Sequence, residues 1–365
     1  MEKLFKVAGQ FVSEGKVIDV REFGNGNINS TFLVTLDTKG ENHFVLQRIN
    51  TQVFCNPELV MSNMRISTEH VRRRLKFEHL SAGRRWEVLH VLLAKDGRDH
   101  WIDSGGAFWR AVSFIENARS FDTVTDIGQA WEIGYAIGMF HTLLSDLPPG
   151  RLADTLEGFH ITPRYLQHYD EVLEKFPIGK TPELNYCVQF VSKRSAWAHV
   201  LDNARAQGRL SLRTIHGDPK VNNILMDTAT GKAVSIVDLD TVKPGLVHYD
   251  IGDCLRSGCN PMGEETGEWE TVRFDPDLCQ AILQGYFSRA REFLTTHDFE
   301  YIFDSIRLLA FELGLRFFTD YLEGNVYFRV SHKEHNLARA LVQFRLCESI
   351  EAQERAIRAI IRDNK

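Results

Sequence analysis

The feature that most constrains this chain is a change in the spacing of its apolar residues near Glu116. From Val17 to Ile115 they alternate with polar residues in short runs, "KVIDVREFG", "STFLVTLD", "HFVLQRIN", "WEVLHVLLA" and "FWRAVSFIE", broken by Gly, Asn and Asp. A two-residue period of this kind is that of half-buried strands. One helical stretch interrupts them, "NPELVMSNMRISTEHVRRRLK". There Asn56 stands as N-cap and Pro57 at the first helical position, and Leu59, Met61, Met64, Ile66, Val71 and Leu75 lie at helical spacing. After Glu116 the period becomes helical, as in "DIGQAWEIGYAIGMFHTLLSDL" and "EYIFDSIRLLAFELGLRFFTDYLEG", with one strand-like island from Asn223 to Asp240. The chain is therefore expected to be α+β. A small antiparallel-sheet part (1–116) should carry one helix, and a larger, mainly helical part (117–365) should follow a tight hinge, with a ligand cleft between them.

Composition narrows the partners. The 365 residues carry 43 basic against 49 acidic side chains, a formal charge of -6, which argues against general attraction to nucleic acid or to an anionic membrane. No run of about 18 uncharged apolar residues occurs, and "MEKLFKVAGQFVSEG" lacks the apolar run of a secretory signal, so a cytoplasmic protein is expected. The six cysteines form no Cys-x-x-Cys pair and read as reduced thiols, mostly small buried hydrophobes.

Chemistry concentrates in "TIHGDPKVNNILM" (214–226), which sets His216, Asp218, Lys220 and Asn223 just ahead of an apolar strand, while "IVDLD" places Asp238 and Asp240 at the end of the next one. Such spacing suits phosphoryl transfer. One carboxylate orients or deprotonates an acceptor hydroxyl, and an amide oxygen with a second carboxylate holds magnesium against nucleotide phosphates. Singly, Asp218 fits a turn cap, Asn223 a backbone partner and Asp238 a surface loop. In this order they match a kinase catalytic loop followed by a metal-binding aspartate. Upstream, "FGNGNINSTFLV" holds Gly24, Gly26 and Asn27 between two strand-like runs, where backbone N–H groups could approach phosphates or where the chain merely turns. At the end of "HFVLQRIN", Arg48 is the cation in the place of a phosphate-pairing lysine, or an arginine reaching for solvent.

"IHGDPKVNNIL" followed by "SIVDLDTVKPGLVHYDIGDCLRS" resembles the aminoglycoside phosphotransferase and choline kinase superfamily, whose members share a bilobed protein-kinase-like fold. Within it the chain is most similar to the N-acetylhexosamine 1-kinases, which phosphorylate the anomeric hydroxyl of N-acetylglucosamine and N-acetylgalactosamine. Segments such as "GGAFWRAVSFIE" and "LRFFTDYLEGNVYF" extend the resemblance along most of the chain. It implies ATP as co-substrate and magnesium held by Asn223 and Asp238. Asp218 would act as base, Lys220 would face the transferred phosphate, His216 would be a structural member of the loop, and Asp250 its buttress. Phe114 and Ile115 would lie against adenine, and Arg316 and Tyr327 against a sugar. Read from spacing alone, Arg316 and Asp320 could instead pair along a helix, Tyr327 could be core, and Asp250 could be a helix N-cap. Asp-Phe-Gly and an activation segment are missing, which implies no protein substrate. The opposing class is a silent nucleotide- or sugar-binding protein, whose mark would be loss of Asp218, Asn223 or Asp238; all three are present.

Overall fold

Alternating burial shapes the amino-terminal part of the structure, a computed structural model that describes residues 2–24, 28–38, 42–78, 80, 83–175 and 181–365. After a short helix α1 (Glu2–Ala8), strands β1 (Val17–Glu22), β2 (Ser30–Leu36) and β3 (His43–Arg48) run antiparallel. Helix α2 (Pro57–Leu75) follows, then β4 (Val91–Leu92), β5 (Trp101–Ile102) and β6 (Phe108–Ser113). The sheet order is β1-β2-β3-β6-β4, with β5 also paired to β6. Its two faces have different tasks. Val20, Val34, Phe44, Leu46, Trp109 and Ala111 bury one face against Val7 and Ala8 of α1, while Val45, Gln47, Arg110 and Val112 line a cleft on the other. In α2, Pro57 occupies the first turn as expected, but the Asn56 side chain makes no capping bond; Met61, Met64 and Val71 are buried and Ile66 and Leu75 half-buried as the spacing predicts, while Leu59 is exposed and Val60 is buried in its stead. Only two residues of "WEVLHVLLA" join the ladder.

The carboxy-terminal part begins with β7 (Ala118–Arg119) and helices α3 (Ile127–Leu144), α4 (Thr162–Lys175), α5 (Pro182–Arg194) and α6 (Val200–Ala206). Strands β8 (Arg213–Ile215), β9 (Ile224–Asp227), β10 (Ala233–Ile236) and β11 (Lys243–Gly245) come next. They are followed by α7 (Val247–Gly258), α8 (Pro276–Ala290), α9 (Thr296–Glu300), α10 (Ile302–Leu322), α11 (His335–Ala352) and α12 (Glu354–Asp363). β9 pairs with β7 and β10, and β8 with β11. Helix α10 is buried on most of its circumference, as its near-continuous apolar sequence requires, and packs against α4, α7 and α11. Helices α3 and α8 cross at van der Waals distance between backbones. A Cβ at Gly134 would lie 1.8 Å from the Ile282 carbonyl oxygen, and one at Gly285 1.9 Å from that of Trp131.

The chain passes from one sheet to the other between Ser113 and Ala118, through Asn117 in the left-handed region (φ 54°). A second connection is non-covalent. Arg84 forms a two-bond fork with Glu132 of α3 (both 2.7 Å), Arg85 bonds Asp227 (3.0 Å), and the Glu87 N–H donates to Val234 of β10 (2.7 Å). Of the six cysteines, Cys55 is exposed and the other five are buried free thiols. Among the described residues no helix is long and apolar enough to cross a membrane.

Candidate active site

Strand β8 delivers the polar loop 216–223, and hydrogen bonds from three directions fix it. The fully buried carboxylate of Asp250, in the first turn of α7, accepts from the N–H groups of His216 (2.7 Å) and Gly217 (2.8 Å) and faces His141 Nε2 at 2.8 Å. Helix α7 is N-capped at Leu246, so Asp250 braces the loop and does not cap the helix. The buried His216 ring lies 2.9 Å from the Val237 carbonyl through Nε2, and its Nδ1 accepts from the Asp218 N–H (3.3 Å). Burial lowers its pKa, which keeps the ring neutral, with the proton on Nε2. Gly217 sits at φ 89°, where a Cβ would come within 2.8 Å of the Thr241 carbonyl; the turn accepts no side chain.

The second acidic turn is registered on this loop. The Val237 N–H donates to the Asn223 carbonyl (2.9 Å), which sets Asp238, itself left-handed at φ 66°, beside Asn223. The Asn223 amide donates to the Asp218 carbonyl (2.8 Å), and Lys220 Nζ lies 2.9 Å from Asp218 Oδ2. Burial first, then the charges of Asp240 and Asp218, push the Asp238 carboxyl up to about 7. Burial opposes the charge of Lys220, but Asp218 and Asp238 outweigh it and raise its pKa. Asn223 and Asp238 present oxygen ligands beside a second carboxylate, Asp218, and this set suits a hard dication. Asn223 and Asp238 could hold such an ion; among the described residues no cluster of three His, Cys, Asp or Glu side chains could hold a metal unaided.

These residues form the polar end of a cleft of about 480 Å³ between the sheet and the helical part. Its other end is apolar, with Val45, Phe114, Ile115 and Leu225 on its walls, and the Phe114 ring meets Phe23 edge-on at 5.8 Å. Gly24 lines the mouth at φ 74° with open space where a Cβ would be, while Gly26 and Asn27 lie outside the described residues.

Arg48 requires correction as the cation of the cleft. It shares the parity of Phe44 and Leu46, so it projects from the face turned away from the cleft and is exposed, and Gln47 points inward instead. On this wall the cation is Arg110 of β6, directly opposite Gln47 in the ladder. It is 1% exposed, donates twice to Gln47 Oε1 (2.9 and 2.7 Å) and pairs with the buried Asp240 carboxylate. Asp240 also accepts from the Asn29 amide (2.5 Å), which ties the segment after the glycine hairpin to the acidic turn. A sequence signal exists: Arg110 is the charged residue of an otherwise uncharged strand, at the cleft-facing parity.

Arg316 and Tyr327 stand outside that cleft. The Arg316 guanidinium lies among the rings of Phe159, Tyr165, Tyr327 and Phe328, at 5.0 to 5.9 Å from their centroids. Burial works against its charge, yet the surrounding tyrosines, Glu312 and Asp218 raise its pKa. Pairing with Asp320 does not occur; that carboxylate accepts the N–H groups of Val326, Tyr327 and Phe328 and the Asn336 amide. Among the described residues Arg316 has neither a carboxylate nor a hydrogen-bond partner. One turn earlier on α10, the buried Glu312 holds His160 Nδ1 (2.8 Å) and the Thr162 hydroxyl (2.6 Å), and His160 Nε2 donates to the Gly217 carbonyl (2.7 Å). No motif announces this pair, whose members are 152 residues apart.

Comparison with known proteins gives the geometry a lineage. A microcompartment-associated aminopropanol kinase superposes with a TM-score of 0.61 at 15% identity, each chain covered to 98%. An aminoglycoside phosphotransferase from Alicyclobacillus acidocaldarius gives 0.63 at 14% identity, covering 98% of this chain and 96% of that one. A choline kinase from Cryptosporidium parvum gives 0.62 at 12%, covering 98% and 97%. At such identities the likeness is one of fold, the two-part kinase-like α+β arrangement. The profile of the phosphotransferase enzyme family matches residues 19–293, and the chain belongs to that family.

Proposed function

We propose that this protein transfers the γ-phosphoryl group of ATP to a hydroxyl of a small neutral, polyhydroxylated acceptor, with the anomeric hydroxyl of an N-acetylhexosamine as the best candidate. The observation that carries the choice of acceptor is Arg316: a guanidinium in an aromatic box, with no carboxylate matched to it, on the side of the catalytic loop served by α10. A cation left unpaired repels an ammonium group and donates readily to an acyl or hydroxyl oxygen. The aminopropanol and choline kinases that share the fold act, by their names, on cationic alcohols. An amino alcohol or aminoglycoside acceptor is therefore the second reading, favoured by that kinship and opposed by Arg316.

In this reading the apolar end of the cleft, with Phe114 and Ile115, takes the adenine, and the phosphates extend towards Lys220. Asn223 and Asp238 would hold magnesium, which when bound supplies charge neutralisation at the phosphate oxygens. Asp218 accepts the proton of the attacking hydroxyl; Lys220, 2.9 Å away, restrains that carboxylate and offers its positive charge to the transferred group. Asp250 and His216 hold the loop so that Asp218 needs no rearrangement as the hydroxyl arrives. No nucleophilic serine or cysteine takes part, and the phosphoryl group passes directly in line.

Incubation with ATP, magnesium and a panel of N-acetylglucosamine, N-acetylgalactosamine, glucose, galactose, choline, aminopropanol and an aminoglycoside, followed by phosphorus NMR, tests this. Phosphate on the anomeric oxygen of an N-acetylhexosamine is the expected result. Exclusive phosphorylation of a cationic alcohol would overturn the acceptor assignment, and nucleotide binding without any product would favour a silent binding protein.

A further inference from the structure

We propose that the buried His160–Glu312 pair is a positioning device that sets the orientation of Asp218 and links it to the Arg316 box. The inference rests on the kinase reading above. The carbonyl of Gly217 and the nitrogen of Asp218 belong to one rigid peptide plane, so whatever holds that carbonyl fixes the direction in which Asp218 leaves the backbone. Asp250 grips the two preceding N–H groups, and Thr241 Oγ1 donates to the His216 carbonyl at 2.8 Å. The Asp218 N–H makes only a long 3.3 Å bond to His216. His160 Nε2, at 2.7 Å from the Gly217 oxygen, is thus the contact that determines the tilt of the 217–218 plane.

His160 is built for that contact at some expense. Its backbone is left-handed (φ 63°), a conformation costly for a residue with a side chain. Its ring stacks on Tyr249 at 5.2 Å, is 4% exposed, and is oriented through Nδ1 by a carboxylate that is itself 1% exposed. A buried ion pair is an inefficient way to stabilise a core compared with apolar packing. It is an effective way to aim a donor. The neighbouring Phe159 ring packs on the His160 ring at 4.0 Å and lies under the Arg316 guanidinium at 5.3 Å, and Glu312 and Arg316 occupy successive turns of α10. One rigid unit therefore touches both the residue that would anchor the acceptor and the peptide that aims the base.

The test compares His160→Phe, which keeps the stack and removes the donor, with His160→Gln, whose amide can still donate to Gly217. Steady-state kinetics on the fastest acceptor of the panel, well below the melting temperature of each variant, should show kcat reduced by about 10- to 100-fold in His160→Phe. KM for ATP should stay within about 2-fold, and His160→Gln should recover most of kcat. If His160→Phe does not fold, Glu312→Gln, which removes the orienting charge, takes its place with the same expected split. A folded variant with wild-type kcat, or an equal fall in the Phe and Gln variants, would overturn the inference alone. Absence of turnover by the wild-type protein on every acceptor would overturn the kinase reading and the inference with it.

Discussion

Replacing Arg110 by Met probes the electrostatic frame of the cleft. The guanidinium is 1% exposed and the Asp240 carboxylate it neutralises 3% exposed, so neither can be resolvated by a side-chain rotation. Met fills much of the arginine stem's volume, which leaves two losses: the hydrogen bonds to Gln47 and the counter-charge of Asp240. Removing one partner of a buried ion pair costs about 3–5 kcal/mol, because the survivor keeps its desolvation penalty without its attraction. Among the described residues Asp240 then retains only the Asn29 amide as side-chain donor. Asp240→Asn alone leaves the arginine in the same predicament. The double variant removes both charges and should cost less than the two single variants added together, by about 2–3 kcal/mol. Urea unfolding of the four proteins at neutral pH measures the cycle. A single Arg110→Met cost below about 1 kcal/mol, or a double variant at least as unstable as the sum, would refute the claim that this pair is a mutually dependent buried unit.

The His160–Glu312 pair carries a pH signature. Burial opposes the charge of His160, but Glu312 outweighs it and raises the pKa above the usual 6.5, so the stabilisation from His160 is complete below 6.5 and fades as pH rises through the raised value. Burial likewise opposes the charge of Glu312, but His160 draws its pKa below 4.5; its share is present above 4.5 and fades as pH falls through the lowered value. Glu312→Gln should therefore lose most stability relative to wild type between 4.5 and 6.5, and the deficit should shrink towards alkaline pH, where Glu312 and Asp253 face a neutral ring; a pH-independent deficit in urea titrations would contradict this. Asp218→Asn should lower kcat by roughly 10²–10⁴-fold and leave ATP binding measurable by calorimetry. Arg316→Ala should raise the acceptor KM by about 10-fold or more without moving that for ATP, as shown by paired saturation curves. Gly134→Ala would set a methyl 1.8 Å from the Ile282 carbonyl oxygen, so α3 and α8 must part; a loss above about 3 kcal/mol in urea unfolding is expected despite alanine's better helix propensity.

What could be read from the sequence was what depends on local spacing. The strands β1, β2, β3 and β6 and the helices α2, α3 and α10 lie where their apolar periods placed them, and the loop 216–223 with Asp238 assembles as its order implies. Errors arose where a neighbour distant in sequence decides. Met61, Met64 and Val71 of α2 are buried as the period implies, but Leu59 is exposed because Val60, not Leu59, joins the cluster of Ile49, Phe54 and Phe108. Arg48 has the charge for the role, but parity from the buried Phe44 and Leu46 turns it outward and leaves Gln47 and Arg110 for the cleft. Residues 2–8 form a helix whose Val7 and Ala8 close the outer face of a sheet not yet formed when they are read. His160 and Glu312 could not be paired by any local rule, since only the packing of α10 behind the catalytic loop brings them together.

The crossings between the amino-terminal and helical parts have a mechanical consequence. One is the covalent span from Ser113 to Ala118, and another is the bonded stretch from Arg84 to Glu87, pinned to Glu132, Asp227 and Val234. Helix α2 and the sheet add further ties: Asn63 bonds Ala153 and Val242, His70 and Arg74 meet Asp146, and Arg110 and Asn29 hold Asp240. A body tied to another at so many places is braced against turning as well as sliding, so the cleft is a clamped frame in which the wall that carries Arg110 keeps one seat on the acidic turn.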